Sequence, residues 1–178
     1  MDGNAYLKEI LARYREQKSL ADRAISQLSD EALFARLDPE SNSVAVLMKH
    51  VGGNLVSRWT DFLTADGEKA DRQRDREFEA KEADTRASIL ERWEAGWQVA
   101  FHTLDALSDE QLSRLVVIRG EPHTVLQAIS RNLTHTAQHV GQIILLAKHL
   151  AGPSWKTMSI PRGKSEEFNR MMRAKPQA

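Results

Sequence analysis

Apolar residues recur at three- and four-residue steps through four long stretches of the chain, and each stretch predicts an amphipathic helix. The first, about residues 4–28, places Tyr6, Ile10, Tyr14, Ala21, Ile25 and Leu28 on one side. "SDEAL" from Ser29 reads as a cap with a short helical turn, and "DPESNS" as a loop ending in an N-cap, Asn42 or Ser43. The second helix, about 43–64, carries Val44, Leu47, Met48, Val51, Leu55, Trp59 and Phe62 as its stripe. A third begins near Asp84 or Thr85 and lines up Ile89, Leu90, Trp93, Trp97, Ala100, Leu104 and Leu107, which makes the two tryptophans core. Ser108 with Gln111 forms a capping box for a further turn. The fourth helix, about 124–150, carries Val125, Ile129, Leu133, Val140, Ile143, Ile144 and Ala147 and stops at Gly152-Pro153.

Between these stretches the pattern changes twice. "DGEKADRQRDREFEAKEADTR", residues 66–86, holds fourteen charges in twenty-one residues and reads as a solvated connection. It is longer than a bundle hairpin requires, and Phe78 among its charges leaves room for a lid. "RLVVIRGEPHT" is the one strand-like piece, broken by Gly120 and Pro122, and predicts a short hairpin or extended crossing before the fourth helix. The expected fold is all-α: one domain over residues 1–178, a four-helix bundle in which each helix buries its stripe against the others. The tail, about 152–178, reads as irregular and then briefly helical from Ser165.

Composition narrows the function classes. Lysine and arginine number 25, aspartate and glutamate 25, so no basic excess points to nucleic acid. No apolar run reaches the ~20 residues of a membrane span. The opening "MDGNAYLKEILARYREQKS" lacks the build of a signal peptide, so the expected setting is cytoplasmic. Cysteine is absent, which removes disulfides, thiolate ligands and a protein-borne thiol nucleophile.

The chemistry therefore falls to histidine. In "RNLTHTAQHVGQI", His135 and His139 stand four residues apart and point the same way from a helix, on the edge of the apolar stripe with Asn132 and Gln142 beside them. The second helix repeats the arrangement: His50, Asn54 and Asp61 flank its apolar face. If those two helices face each other, three imidazoles converge and leave a coordination position open, the layout of a catalytic zinc-type site. Gly52 and Gly53 mark a close approach of another element, because each costs ~1 kcal/mol inside a helix. Thr136 stands where a zincin protease needs glutamate, and Met158 stands where "PRGKS" would need the first glycine of a P-loop. His102 and His149 read as surface residues, and His123 as a loop residue without a partner. No general base stands out near the triad, and Asp61 lies about three turns from His50.

Three segments carry a resemblance: "KHVGGNLVSRWTDFLTADGEKADRQRDREFE", "VVIRGEPHTVLQAISRNLTHTAQHVGQI" and "WKTMSIPRGKSEEFN". The chain resembles the DinB/YfiT-like superfamily of bacterial four-helix-bundle proteins, and most closely a branch known as a domain of unknown function. The H-x-x-x-H-x-G-Q core belongs to the superfamily, and the other two segments belong to the branch. The resemblance implies a divalent metal, zinc or nickel, held by His50, His135 and His139. It further implies a homodimer, and an activity similar to metal-dependent transferases and isomerases that use low-molecular-weight thiols such as bacillithiol or mycothiol. Asn54, Arg58 and Gln142 are the expected substrate-orienting residues. Metal-assisted hydrolysis, or a non-catalytic metal-stabilised dimeric module, are the competing expectations.

Overall fold

A computed structural model describes residues 2–174. It is mostly helical, with a single two-stranded sheet among those residues. Helix α1 spans Gly3–Ile25, α2 Asp30–Phe34, α3 Val44–Trp59, α4 Arg86–Asp105, α5 Val125–Ala151 and α6 Ser165–Arg173. Strands β1 (Leu115–Ile118) and β2 (Glu121–Thr124) pair antiparallel, with Leu115 opposite Thr124 and Ile118 opposite Glu121. The predicted hairpin is therefore present. Its two-residue loop, Arg119-Gly120, has φ of 55° and 77°, the left-handed pair that matches strand twist. Residues 175–178 of the expected irregular tail lie outside the described residues.

Local chemistry sets most of the boundaries. The side chains of Asp2, Ser29, Ser43, Thr85 and Thr124 each accept from backbone N–H groups of the first turn that would otherwise lack partners. Thr124 with Gln127 closes a reciprocal capping box at the start of α5. Gly152 ends that helix at φ 52°. The predicted second helix is shorter than its periodicity implies. Thr60 is extended and Asp61 takes φ 48°, so α3 stops at Trp59 and Phe62 reaches the core from the turn beyond it. The first helix likewise ends at Ile25, with Leu28 buried from the following turn.

The long helices enclose one core: α3 lies against α4 and α5, and α1 against α5 and α4. Tyr14, Trp59, Trp93 and Trp97 meet edge to face at its centre, with Tyr14 6.1 Å from Trp59 and Trp93 5.4 Å from Trp97 between ring centroids. Fourteen of the sixteen residues of α3 are buried, so this helix has almost no solvated face. Its polar side chains, Lys49, His50, Asn54 and Arg58, are carried inside with it and need partners there.

Lys49 finds one in Asp84, 2.7 Å away, with side chains 3% and 6% exposed; its ammonium also donates to the Glu79 carbonyl at 2.7 Å. This pair ties the charged connection to α3 just before α4 begins. Burial would raise the Asp84 pKa, but hydrogen bonds from Lys49 and the Lys81 backbone outweigh it and hold it below 3.8. Because the folded state binds this proton less tightly than the unfolded state, the contribution is present above the ordinary aspartate value. It is lost as pH falls through the lowered one. Asp84→Asn is expected to cost about 3–5 kcal/mol, the penalty for stranding a buried charge, and to flatten that acid-side loss. Denaturant titrations at a series of pH values measure both.

Candidate metal centre

His50 leaves α3 toward α5, where His135 and His139 sit one turn apart on the facing side. Their ring centroids lie 4.6–5.1 Å from one another. One ligating nitrogen from each falls within 4.8 Å of the others, and His50 Nε2 stands 3.1 Å from His135 Nε2. Imidazoles bound at 2.0–2.1 Å to one tetrahedral ion hold their nitrogens about 3.3 Å apart.

The outer nitrogens decide which lone pairs face inward. Burial would raise the pKa of Glu77, yet hydrogen bonds from His50 and Arg72 lower it, so its carboxylate is ionised and can only accept. His50 Nδ1–H therefore donates to Glu77 Oε2 at 2.8 Å, which turns Nε2, the other ring nitrogen, to the other rings. His139 Nδ1–H donates to Gln142 Oε1 at 2.8 Å with the same consequence. Burial and then the neighbouring histidines, with Arg72 and Arg58 adding to them, push the His135 pKa down to about 3. Its ring is neutral at pH 7 and retains a lone pair. Burial also lowers His139, against the opposing bond from Gln142. Three convergent imidazoles, two of them with Nδ1 engaged by outer partners, fit a divalent cation.

Glu77 comes from the stretch that reads as solvated by charge alone. Within it, Arg72 grips the Glu77 carboxylate with two bonds of 2.8 Å and reaches Glu68 at 3.0 Å with its third nitrogen. Phe78 lies against the His50 ring, centroids 4.6 Å apart. Gly53 makes the room: a Cβ there would stand 2.5 Å from Glu77 Oε1. The connection thus forms a wall of the site, and the solvated-loop expectation is corrected for Arg72, Glu77 and Phe78. An aromatic residue among charges was the one sequence signal that pointed here.

The remaining sequence candidates divide. Trp59 Nε1–H can only donate and meets Asn132 Oδ1 at 3.1 Å; Tyr14 OH donates to the same oxygen at 2.9 Å. Asn132 Nδ2 must then donate to Asn54 Oδ1, 2.8 Å away, which leaves the Asn54 amide nitrogen as a spare donor. Asn54, Asn132, His50, His135 and Arg58 line one cavity of about 190 Å³ beside the triad. Gln142 serves His139 instead. Asp61 is exposed beyond the end of α3, and His102 and His149 are exposed on α4 and α5. His123 lies in β2, its Nδ1 3.0 Å from the Glu121 carbonyl oxygen and its Nε2 3.2 Å from Arg131 Nη1.

Fold and site together define a mostly helical protein with a buried three-histidine group that could hold a metal ion. The chain belongs to the family described as Protein of unknown function (DUF1572), which matches residues 2–164 and so takes in every residue of this centre. Comparison with the curated proteins finds no match. None of the described helices is long and apolar enough to cross a membrane.

Proposed function

We propose that the chain is a metal-dependent enzyme that holds zinc or nickel through His50, His135 and His139 and transfers a low-molecular-weight thiol, or runs a related isomerisation. The observation that carries this reading is the convergence of three imidazoles with no fourth protein ligand in the group, among the described residues. Three ligands leave a position for a reactant, whereas a structural site is closed by four. The resemblance to the DinB/YfiT-like superfamily supports it, since one ligand lies on the second long helix and two on the fourth. A DinB-type four-helix bundle, a homodimer and a cytoplasmic setting go with the same reading.

A divalent cation held there supplies Lewis acidity that favours the ionised form of a thiol or water beside it. The chain's own residues do the rest. Glu77 keeps a proton on His50 Nδ1 and Gln142 keeps one on His139 Nδ1, so both Nε2 atoms stay available. Asn54 Nδ2 offers a neutral donor at the cavity wall. Thiol chemistry is favoured over hydrolysis by the lining: no carboxylate borders the cavity among the described residues. Glu77, which bonds the triad, is engaged by both His50 and Arg72. A thiol, with a free pKa of about 8.5 against about 15.7 for water, ionises beside a cation with less help from a base than water does. Bacillithiol, or a surrogate thiol, is expected to change the visible spectrum of the cobalt-substituted protein. A spectrum indifferent to thiols at saturating concentration would overturn the transferase reading.

A further inference from the structure

The cavity beside the triad is bordered by five arginines, Arg58, Arg72, Arg74, Arg119 and Arg131, and by no acid among the described residues. Three of them already have carboxylates. Arg72 holds Glu77 and Glu68, Arg119 lies 3.6 Å from Glu68, and Arg74 lies 3.4 Å from Asp75. Arg131 meets only the His123 ring among the described residues. Arg58 stands apart: it is 6% exposed, enters none of the ion pairs among the described residues, and its buried Nη1 has no hydrogen-bond partner. Gly67 keeps space for that guanidinium, since a Cβ there would lie 2.5 Å from Nη1. Glu68 and Asp66 act on Arg58 only from a distance, and a buried charge with no contacting partner is costly; the fold keeps one where Asn54 has a spare amide donor.

Arg119 is brought to this cavity by the hairpin. Asp66 accepts from the backbone N–H groups of Arg119 and Gly120, each at 2.8 Å, and so fixes the turn over the cavity. Arg74, Arg119 and Arg131 are exposed, so they form a rim above buried Arg58. A cavity of about 190 Å³ takes a small head group rather than a whole drug-sized ligand.

We infer that this cavity is an oxyanion subsite: Arg58 and Asn54 Nδ2 bind a carboxylate or phosphate head from below, with Arg131 at the rim, so that the reactant of the three-histidine centre is an anionic small molecule. That the anion belongs to the reactant rests on the proposed function; the subsite itself stands on the arginines. Arg58 and Arg131, neither ion-paired among the described residues, match a head of two negative charges better than one.

The test uses the full chain treated with chelator, so that no anion binds through a metal ion. Inorganic phosphate and malonate are compared with chloride at matched ionic strength, by thermal unfolding and by calorimetric titration. One or both are expected to raise the melting temperature saturably, and which one acts tells a phosphate head from a dicarboxylate. Arg58→Met is expected to melt no lower than the parent in chloride, because it removes an unpaired buried charge. It should bind the anion roughly ten- to a hundredfold more weakly. Arg131→Ala, at an exposed position, should weaken binding without change in fold. Equal melting in all three salts, or equal anion stabilisation of Arg58→Met, would overturn the subsite. Metal uptake separates the two readings. If His135→Ala keeps its metal while phosphate or malonate still binds, the metal reading falls and the subsite stands. If neither anion binds while the parent takes up metal, only the subsite falls.

Discussion

His135→Ala is expected to reduce the metal content of the purified, dialysed protein from about one divalent ion per chain to a trace. It removes the middle member of the triad, the ring that faces His50 across 3.1 Å, and leaves two imidazoles from different helices. The fold should pay little for this. The substitution gives up one hydrogen-bond contact, Nε2 to His50 Nε2, and none at Nδ1, which has no partner among the described residues, so the change in stability is expected to stay on the order of 1 kcal/mol. Glu77→Gln makes an instructive contrast. The amide can still accept from His50 Nδ1–H, but the negative charge that polarises the ring and anchors Arg72 is gone. Metal affinity should fall by about 10–100-fold rather than vanish. Elemental analysis and competition against a chelator of known affinity rank the variants, with exposed His102→Ala as the control. Full metal content in His135→Ala would place the ion elsewhere.

Periodicity was enough to find the long helices, because each buries one stripe, and enough to find the triad, because an i, i+4 pair on one flank must face the seam between helices. The adjacent glycines also carried a readable message. Gly52 faces the α4 backbone and Gly53 faces Glu77, the close approaches that two poor helix formers in one turn imply. What the chain concealed was tertiary. The end of α3 is held from another helix, where Thr103 Oγ1 donates to the Trp59 carbonyl at 3.0 Å; no local residue announces it. The walls of the site were concealed for a different reason. A run of mixed charge looks solvated when its charges are counted; Glu77 differs from its neighbours in meeting His50, and Arg72 in gripping Glu77. Arg58, Arg119 and Arg131 come from a helix end, a hairpin and a second helix. Their assembly around one cavity has no periodic signature at all.

Gly96→Val is the substitution expected to cost the fold most. A Cβ at position 96 would lie 2.6 Å from the Gly52 carbonyl oxygen and 2.8 Å from its Cα, and one at position 52 would lie 2.8 Å from the Arg92 carbonyl oxygen. The obstructing atoms are backbone on both sides, so no rotamer change relieves the clash. A glycine in a helix interior ordinarily gains about 1 kcal/mol on becoming alanine, and the crossing must reverse that gain. Separating α3 from α4 would also open the contacts around Trp93 and Trp97, so a loss of about 3 kcal/mol or more is expected. His50 lies two residues before Gly52. Any displacement of α3 therefore moves the one ligand that does not belong to α5, and metal affinity should fall together with the denaturant midpoint. That coupling distinguishes Gly96→Val from His135→Ala, which loses the ion and keeps the fold. A Gly96→Ala protein as stable as the parent would mean that the helices have slack at this point. In that case the position of His50 would have to be set by its other restraint, the Glu77 carboxylate that Gly53 admits.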